Sequence, residues 1–196
     1  MDLQPLSLDG RFVRLLPIAP GMKERMRAAV DCDPEAWTVL SSSSQGEAFD
    51  ASWDDNLRQH DGGQIITYAI ERLSDGRVVG RSSFLNIRPA DGGVEIGATF
   101  LHPDVRGGAV NPETKLLMLA HAFASGAIRV ELVTDGRNLR SQRAIAKLGA
   151  VREGVLRHHK ITWTGVRRDT VMFSILEAEW PVVRARLEQR LSAWTA

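Results

Sequence analysis

Some stretches of the chain alternate apolar with polar residues, and others repeat apolar residues every three or four positions. The first pattern buries one face of a strand, the second one stripe of a helix. "RFVRLLPI", from Arg11, reads as a first strand. "PGMKERMRAAV" and "SWDDNLRQH" read as helices joined by the polar "SSSSQGEA". "QIITYAIER" and "RVVGRSSFLNI" are predicted strands around Ser74-Asp75-Gly76, where Asp-Gly signals a hairpin. A Pro/Gly loop leads to "GGVEIGATFLHP". There Val94, Ile96, Ala98 and Phe100 are predicted on one strand face, with Glu95, Gly97, Thr99 and Leu101 on the other. Leu116, Leu119, Ala120 and Phe123 mark a helix closed by Ser125-Gly126. "IRVELVTDG" is a strand, "NLRSQRAIAKLG" a helix ended by Gly149, and two long strands flank Thr164-Gly165. A last amphipathic helix carries Trp180, Val183, Leu187, Leu191 and Trp194 on one stripe. No repeat or linker divides the chain, so residues 1–196 are expected to form one mixed α/β domain.

A chain of 196 residues with 43% hydrophobic content can bury a sizeable core. No stretch reaches the apolar length of a membrane helix and "MDLQPLSLDGRF" has no signal-peptide core, so a cytoplasmic location and no membrane partner are expected. Cys32 is the one cysteine, which excludes an intramolecular disulfide and a cysteine metal cluster. His158 and His159 are adjacent on a predicted strand, point to opposite faces, and so cannot readily chelate one ion; no metal is expected. The net charge of +1 hides an asymmetry. Asp31 to Asp75 holds ten acids and two bases, a net −8, whereas Arg137 to Arg168 holds nine bases and one acid, a net +8. Two solvated faces would account for this, and so would a basic half for a polyanion and an acidic half for a cation.

The chemistry concentrates in "HPDVRGGAVNPETKLLMLAHAFASG". Asn111 suits an N-cap and Pro112 a first helical position. A strand that runs through a glycine loop onto a helix start gathers the N–H groups of Gly107 to Asn111, with Arg106 adding a full charge. The loop reads equally as an anion site or as a tight connection with a surface arginine.

The element order, with its glycine loop after the fourth strand, resembles the GNAT superfamily of N-acetyltransferases. Within it, "RGGAVNPETKLLMLAHAF", "GRNLRSQRAIAKLGAVREGVLR" and "GVRRDTVMFSILEAEW" resemble the RimJ/RimL-like branch, which acetylates protein N-termini and small amines. The resemblance spans nearly the whole chain. It implies a mainly antiparallel twisted sheet with splayed central strands, flanked by helices, and acetyl-CoA as co-substrate without a metal. In the family, the pattern Q/R-x-x-G-x-G/A grips the pyrophosphate; here it falls on Arg106, Ala109 and Asn111, so Arg106, Gly107, Gly108, Ala109, Val110, Asn111 and Pro112 become its expected cradle. Ala109 and Asn111 depart from the pattern: a Cβ at Ala109 would resist positive φ, and Glu113 would put negative charge near the anion.

The resemblance further places pantetheine along Thr99, Phe100 and Leu101, which could otherwise be an ordinary paired strand end, and gives Asn138 a hydrogen bond to the cofactor besides an N-cap role. Glu95 is the candidate base; the competing reading is an exposed strand glutamate paired with an arginine. Many family members carry a tyrosine acid where this chain has Ile145, and Ser141 is the substitute donor to the thiolate, or else a helix-surface serine. Direct transfer of acetyl to a primary amine in a ternary complex is the expected activity, with a non-catalytic acyl-CoA-binding module as the alternative. Binding of nucleic acid through the basic stretch is the weakest reading. The acidic segment suggests a cationic amine acceptor, and a homodimer is compatible with the sequence.

Overall fold

The computed structural model describes residues 1–195. Its strands are β1 (Leu8–Asp9), β2 (Val13–Pro17), β3 (Ile66–Arg72), β4 (Val78–Arg88), β5 (Gly93–Leu101), β6 (Arg129–Asp135), β7 (Val151–Ile161) and β8 (Arg167–Leu176). The helices are α1 (Lys23–Val30), α2 (Pro34–Trp37), α3 (Phe49–Asp61), α4 (Val110–Ala124), α5 (Leu139–Ala146) and α6 (Trp180–Ser192). The eight strands make one sheet in the order β1-β2-β3-β4-β5-β6-β8-β7. Every neighbouring pair is antiparallel except β5 and β6, whose connection is the crossover helix α4.

That parallel pair is short. Only Gly93, Val94 and Glu95 face Arg129, Val130 and Glu131. Beyond them β5 stays paired with β4 as far as Leu101, and β6 with β8 as far as Asp135, so the two strands part and leave a gap in the middle of the sheet. This is the splayed sheet that the resemblance implies.

Each face of the sheet has its own core. Val94, Ile96, Val130 and Leu132 pack with Leu119 and Phe123 of α4 and Val183 and Leu187 of α6. Trp180 stacks on Phe123 with ring centroids 5.4 Å apart. On the opposite face Trp37, Phe49, Trp53 and Phe100 gather α1, α2 and α3. α2 has no counterpart among the predicted elements, although Asp33-Pro34 carries its signal: the Asp33 carboxylate accepts from Ala36 N at 3.2 Å ahead of a proline in the first turn.

Two sequence expectations are corrected. Val94 and Ile96 do share a face, but Phe100 lies on the other, stacked on Trp37 at 4.8 Å and 13°. The cause is a bulge: the β4–β5 register shifts between Arg81 and Ser83, and Ala98 takes φ of 47°. One inserted residue reverses the side-chain alternation beyond it. The second correction concerns α4. It begins at Val110, Ala109 precedes it in helical conformation without a side-chain cap bond, and Asn111 and Pro112 lie inside the first turn. Pro112 is tolerated there because a first-turn N–H has no helical acceptor to lose.

Candidate active site

The gap between β5 and β6 opens into a cavity of about 810 Å³ bordered by the segment 39–43, α3, the start of α4, and α5. Glu95, Thr99, Phe100, Leu101, Arg106, Gly107, Asn111, Asn138 and Ser141 all line it. Gly108, Ala109 and Val110 instead border a separate depression of about 500 Å³ beside Arg11 and Phe12, and Pro112 is buried, lining neither. Nine of the thirteen expected site residues are thus brought to one cavity.

At the glycine-loop end of the cavity, Gly107 has φ of 85°, a left-handed turn that favours glycine. Ala109 has φ of −70°, so its Cβ carries no backbone strain and that expected obstacle is absent. The Glu113 carboxylate does not face the loop either. It is buried and accepts backbone N–H bonds from Arg11, Phe12 and Val13 at 2.8, 2.6 and 2.8 Å, fastening the turn before β2 to α4. Arg106 donates from Nε to the Leu101 carbonyl at 2.9 Å and from Nη1 to Asp33. Its charge therefore reaches the loop already shared with a carboxylate.

Glu95 sits on the sheet face of α1–α3, only 6% exposed. Its Oε2 accepts from Asn86 Nδ2 at 2.6 Å, and a second bulge in β4 turns Asn86 to φ of 47° to make that contact. Gly97 gives the carboxylate its room, since a Cβ there would stand 2.7 Å from Oε1. Burial raises the Glu95 pKa above the ordinary glutamate value; the Asn86 bond and the charges of Lys160 and Arg168 oppose the rise, and Glu131 adds to it. Arg88 and Arg129 pair with Glu131 instead, so Glu95 is not the exposed, arginine-paired glutamate of the competing reading.

Across the gap, Asn138 Oδ1 caps α5 by accepting from Ser141 N at 3.0 Å, which leaves the amide NH2 of Asn138 as a donor. Ile145, one turn beyond Ser141, borders the same cavity and is buried. His158 is exposed with φ of 48°, and no three His, Cys, Asp or Glu residues are grouped to hold a metal among the described residues. No helix among them is long and apolar enough to cross a membrane.

Sequence reasoning missed three buried cations in this wall. Lys115, on α4, is 6% exposed; its Nζ donates to Ser82 Oγ at 3.1 Å and to Thr99 Oγ1 at 2.6 Å, and burial pulls its pKa down to about 7. Arg81 and Arg168, on the face of Glu95, are 7% and 6% exposed. Helical spacing could have found Lys115, four residues after Asn111 on one face; the arginines need the register. In all, six cations (Arg81, Arg106, Lys115, Arg140, Lys160, Arg168) and three acids (Asp55, Glu95, Asp135) line the cavity. The acidic segment that suggested a cationic acceptor therefore does not give the cavity an acidic lining. Six of the segment's ten acids are in ion pairs: Asp33 with Arg106, Asp50 with Lys23 and Arg27, Asp54 with Lys23, Asp55 with Arg58, Glu71 with Arg25 and Asp75 with Arg72.

Comparison with known proteins agrees with this geometry. The profile of the acetyltransferase (GNAT) domain matches residues 13–151. A putative acetyltransferase from T. thermophilus is 39% identical with TM-score 0.86, covering 97% of this chain and 100% of its own. A GCN5-related N-acetyltransferase from Brucella melitensis is 27% identical with TM-score 0.86, over 98% and 86%. Mycobacterium smegmatis RimJ, solved with CoA-disulfide, shares the fold at 21% identity, TM-score 0.79, over 97% of both chains. No protein of curated function matches the sequence significantly.

Proposed function

The chain belongs to the GNAT acetyltransferase family, and from that premise we propose that it transfers acetyl directly from acetyl-CoA to a primary amine in a ternary complex, as the RimJ/RimL-like branch does. One observation carries the reading: a buried carboxylate of raised pKa, Glu95, faces the cavity that opens where β5 and β6 part.

The residues fit the co-substrate. First-turn N–H groups of α4 lack helical acceptors and offer donors to a pyrophosphate, with Gly107 and Arg106 beside them. The edge of β5 from Thr99 to Leu101 is not paired with β6, and apart from the Leu101 carbonyl, which accepts from Arg106, its backbone on that side can bond an extended pantetheine. The Asn138 amide supplies one more donor from the far wall. Acetyl-CoA brings the thioester; everything else is done by the chain. Glu95, directly or through a water, takes the proton of the ammonium so that the free amine attacks the thioester carbonyl. Ser141 stands in the first turn of α5, where its hydroxyl can donate to the departing thiolate while Ile145 keeps that wall apolar.

The test is a screen of peptide N-termini and small amines with acetyl-CoA, read by mass spectrometry of the acetylated product, with E95Q as control. Product with the natural chain, a loss of about 10²–10⁴-fold in turnover with E95Q, and unchanged acetyl-CoA affinity are expected. S141A should lose less, since water can take over its donor role. Full turnover in E95Q would remove Glu95 from the reaction.

A further inference from the structure

Two buried arginines in the cavity wall, Arg81 and Arg168, have no ionic partner among the described residues. Arg81 is buried at 7% exposure, its guanidinium 5.4 Å from the Trp37 ring centroid, and burial pulls its pKa down to about 10. It donates to one hydroxyl, Ser44 Oγ at 3.0 Å, and its buried Nε has no hydrogen-bond partner. Arg168 repeats the arrangement: one bond, to Ser41 Oγ at 2.6 Å, and an unpartnered buried Nε. No carboxylate lies within ion-pair reach of either among the described residues. Asp135 and Glu95 are the acids near Arg168. Asp135, however, is bonded by Arg137 at 3.0 and 2.7 Å, and Glu95 by Asn86.

Such a pair is not explained by stability. A guanidinium has five N–H donors, and burying it without a counter-charge costs several kcal/mol. Packing against Trp37 would be served as well by an uncharged side chain. The hydroxyl partners are neutral, so both positive charges remain available to whatever enters the cavity.

The register places them together. Arg81 stands opposite Phe100 on β4, and Arg168 lies two residues before Thr170, which stands opposite Asp135 on β8. They therefore flank the parted ends of β5 and β6 from outside, on the face that also carries Glu95. Their hydroxyl partners, Ser41 and Ser44, are three residues apart, at most about 10 Å of chain. This face, covered by α1–α3, is opposite the one covered by α4.

We infer that Arg81 and Arg168 form an anion subsite for the acceptor, and that the preferred acceptor is an amine carrying a carboxylate. This deepens the transfer reading above and rests on it for the amine: the ammonium lies toward Glu95 while the carboxylate meets the two guanidinium groups, which present forked donors suited to it. It replaces the cationic acceptor that the acidic segment suggested.

Matched acceptors that differ by one carboxylate test the inference. The ratio of kcat/KM for 4-aminobutyrate over butylamine, and for L-glutamate over L-glutamine, is expected to exceed about tenfold. R81Q and R168Q should each bring that ratio down several-fold, with acetyl-CoA affinity by calorimetry verifying that each variant is folded. Equal or inverted ratios in the natural chain would overturn the inference, as would variants that leave the ratio unchanged. A second measurement needs no turnover. Glutarate, which has no amine, should raise the melting temperature of the CoA-loaded protein, and R168Q should abolish that rise. If glutarate stabilises the protein and no amine is acetylated, the subsite stands and the transfer reading fails. If glutarate has no effect and the ratios are equal, the subsite itself is wrong.

Discussion

A carboxylate works as a base near neutral pH only if its proton affinity is raised toward that range, and burial does this for Glu95. In the proposed reaction the ionised form is the base, so kcat/KM should fall as pH drops through a pKa above the ordinary glutamate value. The pH–rate profile should show that limb displaced upward, and E95Q should lose it. Lys115 titrates in the opposite sense. Its folded pKa, pulled down by burial to about 7, lies below the unfolded value near 10.4. The unfolded chain then binds more protons between the two values, so stability rises with pH across that window, and below about pH 7 the full penalty of burying the charge is present. K115M should therefore raise the melting temperature most at pH 7 and below, and the gain should shrink toward pH 10. A gain equal at pH 6.5 and 9.5, read by calorimetry at about those two values, would mean that the Lys115 pKa is not lowered in the fold. Glu95 was legible through the resemblance, which puts an acid on the strand that would border the acyl group. Asn86 was not, because a bulge turns it toward Glu95, and the burial of Arg81 and Arg168 comes from segments distant in the chain.

At the scale of elements, alternation and helical spacing located every long strand and helix, while the bulges escaped. Ala98 at φ of 47° looks like any small strand residue, yet it decides that Thr99 turns to Lys115 and Phe100 to Trp37. A non-glycine residue in this conformation costs of order 1–3 kcal/mol and persists where its surroundings fix it. Here they are the pairing of Phe100 with Arg81 and the Trp37 stack. The start of α4 departs from its sequence signal for a related reason: Asn111 has the composition of a cap, but the chain enters the helix already at Ala109. The first turn of α4 nonetheless keeps N–H donors for the proposed anion site. R106E should weaken acetyl-CoA binding by an order of magnitude or more, whereas R184E, on exposed α6, should leave it unchanged. D33N separates the charge of Arg106 from its ion pair, because asparagine still caps α2 while the competing carboxylate is gone. Calorimetry should find its affinity for acetyl-CoA equal to or tighter than that of the natural chain; a loss as large as in R106E would assign the effect to loop structure and not to charge.

Over the whole molecule the net charge of +1 says little, since the sign that matters is local. The sequence places its negative block in the first half, and the fold turns much of that block onto Lys23, Arg27, Arg58 and Arg106 in ion pairs. What remains at the cavity between β5 and β6 is an excess of cations, six against three, contributed by β4, α4, α5, β7, β8 and the glycine loop. Linear charge runs could not reveal this, because Arg81 and Lys115 belong to neither run. Acetyl-CoA is a polyanion, so such a cavity should favour its approach, and screening should weaken that help as the Debye length falls from about 10 Å at 0.1 M salt to about 3 Å at 1 M. The apparent KM for acetyl-CoA should rise several-fold over that range while kcat changes little. Replacing Asp54 and Asp55 by asparagine should barely alter this, since Asp54 does not border the cavity and Asp55 already contacts Arg58. Steady-state kinetics at fixed acceptor separates the cases. A KM that fell with salt, or that responded to the two asparagines as strongly as to salt, would mean that the acidic half governs the approach after all.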